Sequence, residues 1–290
     1  MSVEEALKIG ENISQYTFNE SDEDTEKLLS EELGNFDSVL AGTEGKSARG
    51  FELSYNKESK FYQIRLFTPC SIGDWQVALD FIEKLAIYEE SHNIVDEDGN
   101  EYSVDSIKKY PYIENIEYGI SAIVDSFKKN HSESYKIFGI YRPVAFNEKM
   151  IDKISNSPDP AKEFSNIIKE IQYIDAYSAN QRFYKNNDGK IFGVYTLTES
   201  CRTILPFKPS VEFEYIDVVK DKDISSWNLS LIIINGDPND SNSYESLGIV
   251  DYSKFINNLP LDKYSFIDGK YIVVEPLEKD EMKRLYNLLG

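Results

Sequence analysis

Cys70 is the side chain whose type and position come nearest to a nucleophile, because it stands immediately before Ser71-Ile72-Gly73-Asp74, where a helix begins. A helix N-terminus favours the thiolate, the reactive form. A thiolate catalyst also needs a base, and the chain holds two histidines, His92 and His131. His92 follows the far end of the same helix, some twenty residues or roughly 25 to 30 Å away at 1.5 Å per residue, and cannot reach back. His131 falls in a polar, lysine-rich connection and is the remaining partner for Cys70. Against that pair stands the ordinary behaviour of a free cysteine, which packs as a small hydrophobe.

Other chemistry is less well supplied. Two cysteines and two histidines at unrelated spacings lack the paired ligands of a zinc site. With 51 acidic residues, pairs of carboxylates occur everywhere and indicate a hydrolase only once geometry is known. No catalytic, cofactor-binding or metal-binding residue is therefore assigned. Arg49, Asp74 and Trp75 are the exception worth naming, since one end of a hairpin and helix would gather them into a small polar site. The bland expectation for Arg49, Arg65 and Arg202, as arginines in an acidic protein, is that each pairs with a neighbouring Glu or Asp.

Three loops resemble ligand sites and fail on spacing. Gly42-Thr43-Glu44-Gly45-Lys46-Ser47 has two residues between its first glycine and Gly-Lys-Ser, where a phosphate loop needs four, and a strand follows it rather than a helix. Asp96-Glu97-Asp98-Gly99-Asn100 has Glu101 where the sixth position of a calcium loop requires glycine. Asp237-Pro238-Asn239-Asp240-Ser241 also lacks the central glycine. All three are expected to be turns, Asp98-Gly99 closing a hairpin of residues 93–95 and 101–103.

The elements that would position Arg49, Asp74 and Trp75 are the plainest in the chain. Phe51, Leu53 and Tyr55 alternate with Glu52 and Ser54, the period of a half-buried strand, and the aromatic and β-branched run 61–67 supplies an antiparallel partner. Thr68-Pro69 ends that strand. Ser71 with Asp74 three residues on reads as a capping pair. Trp75, Ala78, Leu79, Ile82, Leu85 and Ala86 then form an apolar stripe that should pack on the hairpin.

Elsewhere the spacing predicts short helices over residues 3–9 and 25–33, separated by the acidic run 19–24, and a helix through Ile116, Ile120, Ile123 and Phe127. Asp159-Pro160 caps a further helix carrying Phe164, Ile167, Ile168 and Ile171. Strands are expected at 136–141, 190–198, 202–205, 212–219 and 229–234, the last buried on both faces. A hairpin follows at 264–267 and 271–274, then a docking helix through Met282, Leu285, Tyr286 and Leu289. Lys136-Ile137-Phe138-Gly139-Ile140-Tyr141 and Lys190-Ile191-Phe192-Gly193-Val194-Tyr195 echo one another faintly. Strands and helices do not alternate regularly, which places the chain in the α+β class: antiparallel or mixed sheets with amphipathic helices packed on one face. Two subdomains, 1–135 and 136–290 with the polar stretch 128–134 between them, or a single compact unit are the organisations the pattern allows.

Composition bounds function. The 290 residues are 41% hydrophobic, as in an ordinary globular protein, and include 20 Tyr and 16 Phe. A net charge of −20 repels nucleic-acid backbones and anionic membranes and suits a basic protein partner. Two cysteines favour a reducing compartment, the cytoplasm. No apolar run approaches the roughly 18 residues needed to span a bilayer.

The phrases Arg49-Gly50-Phe51-Glu52, Gly73-Asp74-Trp75, Leu79-Asp80-Phe81-Ile82, Phe192-Gly193-Val194-Tyr195, Arg202-Thr203-Ile204-Leu205-Pro206 and Lys263-Tyr264-Ser265-Phe266-Ile267-Asp268 together resemble a bacterial family catalogued as domain of unknown function family 4299. The resemblance covers the chain from about Arg49 to the C-terminus. It implies a bacterial cytoplasmic protein and carries over no reaction, ligand or catalytic residue. The expected function is a non-enzymatic interaction or regulatory module; the rival is an enzyme whose carboxylate or thiol site is assembled from distant loops.

Overall fold

The computed structural model of the chain describes residues 1–17, 22–91, 93–130 and 134–289. The chain divides into two compact units, Met1–Tyr173 and Ile174–Gly290. The division suggested by the polar stretch 128–134 and the division here differ in where residues 136–173 go. They join the first unit because the helix ending in Gln172 packs on the two long helices before it.

The first unit runs α1 (Val3–Lys8), β1 (Ser14–Gln15), α2 (Asp22–Ser30), β2 (Val39–Gly42), β3 (Phe51–Asn56), β4 (Phe61–Leu66), α3 (Ile72–Tyr88), β5 (Ile94–Val95), β6 (Glu101–Tyr102), α4 (Tyr112–Asn130), β7 (Tyr135–Ile137), β8 (Val144–Phe146), α5 (Glu148–Ser155) and α6 (Pro160–Gln172). Strands β1 to β4 form an antiparallel sheet in sequence order. The expected hairpin is present, with Phe51 opposite Leu66 and Asn56 opposite Phe61. Ser71 and Asp74 form the expected capping box. Helix α3 lies across this sheet, but its buried stripe is turned relative to the one expected. Val77, Ala78, Phe81 and Leu85 enter the sheet core, whereas Trp75 and Ile82 are half-buried. Phe81 meets Phe51 at 5.2 Å with the rings tilted by 38°, an aromatic contact that ties this face of the helix to the sheet. Leu79 and Ala86 are buried as well, since α3 also packs against α4 and α6. Each large side chain buried along this helix contributes on the order of 1.5 to 3 kcal/mol, well above any surface ion pair.

Outside the core, the predicted helix over 3–9 is α1, and α2 begins at Asp22; of the acidic run, residues 19–21 lie outside the described residues. The 98–99 turn joins β5 to β6, with Gly99 at a φ of +82°. Asp159 caps α6, and Pro160 occupies its first turn as expected. The strand predicted over 136–141 ends at Ile137, so the two echoed phrases adopt different structures: a three-residue strand here and a long central one in the second unit.

The second unit runs β9 (Tyr177–Ser178), β10 (Arg182–Lys185), β11 (Ile191–Thr198), β12 (Thr203–Pro206), β13 (Ile224–Ile234), β14 (Tyr244–Asp251), α7 (Tyr252–Asn258), β15 (Tyr264–Phe266), β16 (Tyr271–Val274) and α8 (Lys279–Leu289). Two four-stranded sheets result, ordered β10-β11-β13-β14 and β15-β16-β12-β9. The β11–β13 and β12–β9 pairs are parallel and the remaining pairs antiparallel, giving the mixed α+β architecture. The core gathers Tyr195, Leu197, Leu229 and Leu231 from the first sheet with Leu205, Ile272 and Val274 from the second, closed by Tyr252 and Phe255 of α7 and Met282 and Leu285 of α8.

Two strand expectations change here. Residues 212–219 form helical turns, with Val219 N–H donating to the Tyr215 carbonyl, and leave Phe213 and Val218 exposed. Their alternation of acidic and apolar residues has no neighbouring strand to pair with. The second change concerns β13, which is buried on one face through Leu229, Leu231 and Ile233 and half-open on the other through Asn228, Ser230, Ile232 and Ile234.

Candidate functional site

The polar group expected from the sequence is assembled only in part. Gly50, Arg49 and Ala48 run past the start of α3, and Asp74 on its first turn receives all three. Its carboxylate accepts the N–H groups of Ala48 at 2.9 Å, Arg49 at 3.1 Å and Gly50 at 2.7 Å, together with the Ser71 N–H at 2.9 Å and the Ser71 hydroxyl at 2.6 Å. Burial pushes the Asp74 carboxyl up, and the hydrogen bonds from Ser71, Gly50 and Arg49 offset that rise only in part. Three of the donors are consecutive main-chain amides, the arrangement in which a backbone cradles an anion, and here the anion is part of the chain.

Arg49 is buried beside it, but its guanidinium turns to main-chain carbonyls: Nε donates to Phe138 at 2.7 Å and Nη1 to Pro69 at 2.6 Å, with the Phe67 ring 4.8 Å beneath. Burial lowers its pKa, and the nearby Cys70 and Asp74 act in the opposite sense. Trp75 is not drawn into this group. It stacks on Tyr110 at 5.2 Å and Tyr112 at 6.0 Å. Two glycines make the close approach feasible: a Cβ on Gly73 would lie 2.3 Å from the Lys46 carbonyl, and one on Gly50, at φ +70°, would lie 2.4 Å from the Ala41 carbonyl. The loop mistakable for a phosphate site is thus the segment against which α3 begins.

The thiol of Cys70 is enclosed, points to the Gly50 carbonyl at 3.7 Å, and is pushed well up by burial with Asp74 adding to the effect. That environment stabilises a thiol and opposes a thiolate. His92 and His131 lie outside the described residues. Among the described residues, no three or more His, Cys, Asp or Glu side chains are grouped to hold a metal ion. Arg65 pairs with Glu52 at 2.8 Å and Arg202 with Glu275 at 3.0 Å, as their neighbourhoods suggested.

A second polar centre in the same unit works alike. Buried Gln172, at the end of α6, accepts the Tyr141 and Arg142 N–H groups at 2.9 and 3.0 Å and donates to the Arg142 carbonyl at 2.9 Å. Glu44 accepts from the hydroxyls of Tyr16 and Tyr141, and partial burial, with the hydrogen bond to Glu44 adding to it, raises Tyr141 to a pKa of about 12.

The second unit also buries polar groups, Asp268 and the Lys270–Glu212 pair among them, but it leaves one sheet face open. The face of its β10-β11-β13-β14 sheet away from α7 and α8 carries a half-open groove of about 630 Å³. Because side chains alternate, β11 sends Phe192, Val194, Thr196 and Thr198 to this face, and β13 sends Asn228, Ser230 and Ile232. Arg182 and Tyr184 of β10 close one side, Tyr244 and Ile249 of β14 the other, and Tyr177 with Asn180 lies at the rim. No acidic side chain lines it. Asn180, Arg182, Tyr184, Thr196, Thr198 and Ser230 make no side-chain hydrogen bond or ion pair among the described residues. The opposite face is dense; a Cβ on Gly193 would lie 2.2 Å from Trp227, which crosses β11 there. The volume falls in the range of small-molecule and peptide-side-chain sites, roughly 300 to 1,000 Å³.

Sequence reasoning missed this groove. Its signal was Ser230: a serine inside an apolar run marks a strand with one open face, and Asn228 two residues earlier repeats the mark.

Comparison with known families and proteins gives one positive result. The family model described as Domain of unknown function (DUF4299) matches residues 1–285, further toward the N-terminus than the phrases from Arg49 onward had indicated. The chain belongs to that family. No curated protein and no solved structure matches it.

Proposed function

We propose that this member of the DUF4299 family is a non-enzymatic interaction module, and that the open sheet face of its second unit is the surface that holds the partner. The observation that carries this is the contrast in what polar side chains do. In the first unit Asp74, Arg49 and Gln172 are engaged with the backbone, so their chemistry serves the fold. Over the groove, tyrosine, threonine, serine, asparagine and arginine side chains retain their hydrogen-bonding capacity around an apolar floor of Phe192, Val194 and Ile232. Aromatic side chains with a polar tip and adaptable hydroxyls and amides are the usual vocabulary of a protein-binding surface.

The partner is a protein, and a net charge of −20 favours a basic one during the approach while disfavouring nucleic acid and anionic membrane. Among the described residues no helix is long and apolar enough to cross a membrane. Both cysteines are free, which suits the reducing cytoplasm of a bacterium.

The test is capture from a native lysate of the source cells with two baits, the wild-type chain and Ser230→Arg, which places a long cation in the middle of the groove. A protein held by the first and lost from the second, with thermal unfolding unchanged, supports the proposal. Identical captures from both baits, or a retained small molecule that the protein converts, overturns it.

A further inference from the structure

The groove's charge is the opposite of what the chain around it leads one to expect. Of 290 residues 51 are acidic, yet none of the residues lining the groove is, and the charged side chain that does line it is Arg182. Arg182 is exposed on β10, and among the described residues it has no carboxylate within ion-pair distance. A guanidinium presents a fork of donors that fits a carboxylate and cannot be discharged at physiological pH. Beside it lie an aromatic ring, Tyr184, and the apolar floor of Phe192 and Val194.

We infer that the groove recognises an apolar or aromatic group bearing a single carboxylate or similar anion, with the anion held by Arg182 and the apolar body resting on Phe192, Val194 and Ile232. The inference rests on the groove being the binding surface and adds the class of group it takes. The net charge of −20 does not forbid it, because at physiological ionic strength repulsion from distant acids is screened beyond about 8 Å. Contact within the groove then decides. The source is an acidic residue flanked by apolar ones in a segment of the partner protein that this surface holds; a free aromatic or aliphatic acid is an outcome of the test.

The experiment uses three probes on the full chain: anilinonaphthalene sulfonate, which joins an aromatic body to one anion; N-phenylnaphthylamine, its uncharged analogue; and an end-blocked tripeptide with a glutamate between two phenylalanines. Affinities are read by fluorescence for the dyes and by calorimetry for the peptide, at physiological salt. Wild-type protein should bind anilinonaphthalene sulfonate saturably at one site, and Arg182→Gln should weaken it about tenfold while leaving the neutral dye unchanged. Tenfold corresponds to about 1.4 kcal/mol. Arg182→Lys should restore part of the loss, since it returns the charge without the fork. Ser230→Arg should exclude the neutral dye. The peptide should displace the dye from the wild-type protein and not from Arg182→Gln at the same concentration; a peptide that displaces it from neither overturns the partner segment as the source, in favour of a free acid.

Equal weakening of charged and neutral probes by Arg182→Gln, or no weakening of either, overturns the inference. If that happens while Ser230→Arg still loses its captured protein, the groove remains the binding surface and only the anion is wrong. If the dyes discriminate as expected but both baits capture the same proteins, the anion site stands and the interaction module falls.

Discussion

The two units share one way of burying polar groups, since Asp268 in the second accepts the Lys270 and Tyr271 N–H groups much as Asp74 accepts its loop in the first, but they differ in what they leave in the open. Met1–Tyr173 holds 33 acidic and 18 basic residues, a net charge of −15, and turns its best-placed ionisable groups inward; Ile174–Gly290 holds 18 and 13, a net charge of −5, and leaves a row of neutral polar side chains and one arginine outward. A buried carboxylate such as Asp74 is tolerable only when every oxygen is occupied, and once occupied it has nothing left for a ligand. Half-exposed Thr196 and Ser230 face no such requirement, because water satisfies them until something displaces it. The lesson is that a concentration of ionisable side chains need not leave any of them open to a ligand, and here it is the less acidic unit that presents unengaged polar side chains.

Asp74→Ala is the strongest way to break this comparison. It strips the acceptor from four main-chain N–H groups in a buried loop, and the expected cost is about 3 to 5 kcal/mol of stability. Each unit contains one tryptophan, Trp75 or Trp227, so urea unfolding of a Trp227→Phe background reports the first unit alone. A transition that stays where it was would mean that Asp74 is free for other work and that the first unit has been misread. Gly73→Ala should follow with a smaller loss, about 1 to 3 kcal/mol in the same assay, because its Cβ would meet the backbone carbonyl of Lys46 rather than a side chain able to swing aside.

Ser230→Arg sharpens the comparison from the other side. The side chain enters open space over the sheet, so stability should change by no more than about 0.5 kcal/mol while capture of the partner is lost. The thiols should divide likewise: Cys201, half-buried in the second unit, should react with a water-soluble disulfide reagent in the native protein, and Cys70 only after denaturation. Rapid native labelling of two thiols would contradict the enclosure of Cys70 and revive it as a nucleophile.

These expectations also show which parts of the molecule the residues declare for themselves. The hairpin, the Ser71–Asp74 box and the Asp159-Pro160 start are local, involving residues a few positions apart whose preferences tertiary packing had no reason to overrule. The rotation of α3 was not local: spacing along the helix placed Trp75 and Ile82 in the stripe and could not encode that Phe81 meets Phe51. The groove was the least accessible of all. Thr198 faces Ile232 across a parallel pairing, and only strand order, which nothing near either residue encodes, brings Tyr184 and Tyr244 to opposite sides of the same surface. Arg49 and Asp74 were found as neighbours because both flank the hairpin, yet that they would face the main chain depended on the loop of residues 46–50 folding back over the helix start.

The smallest expected effect is one of sign, and it separates the units by acid response. In the first, burial raises the Asp74 carboxyl above its unfolded value near 3.9, so the native state takes up the proton first; its contribution to stability grows as pH falls through the folded value and levels off below the unfolded one. In the second, the Lys263 ammonium at 2.9 Å and the Glu278 N–H hold Glu281 below the ordinary range. Its contribution is therefore complete above the unfolded value near 4.3 and is lost as pH falls through the folded one. Glu281 is part-exposed, so its share stays under about 1 kcal/mol. Urea midpoints measured from pH 6 down to pH 3 should show the gap between wild type and Glu281→Gln closing with acid. The gap between wild type and Asp74→Asn should widen over the same interval, since the wild-type carboxyl is relieved of its buried charge and asparagine has none to lose. Gaps that close together would mean that the five donors around Asp74 outweigh its burial, leaving it a stable anion like Glu281 and removing the electrostatic part of the distinction drawn between the two halves of the chain.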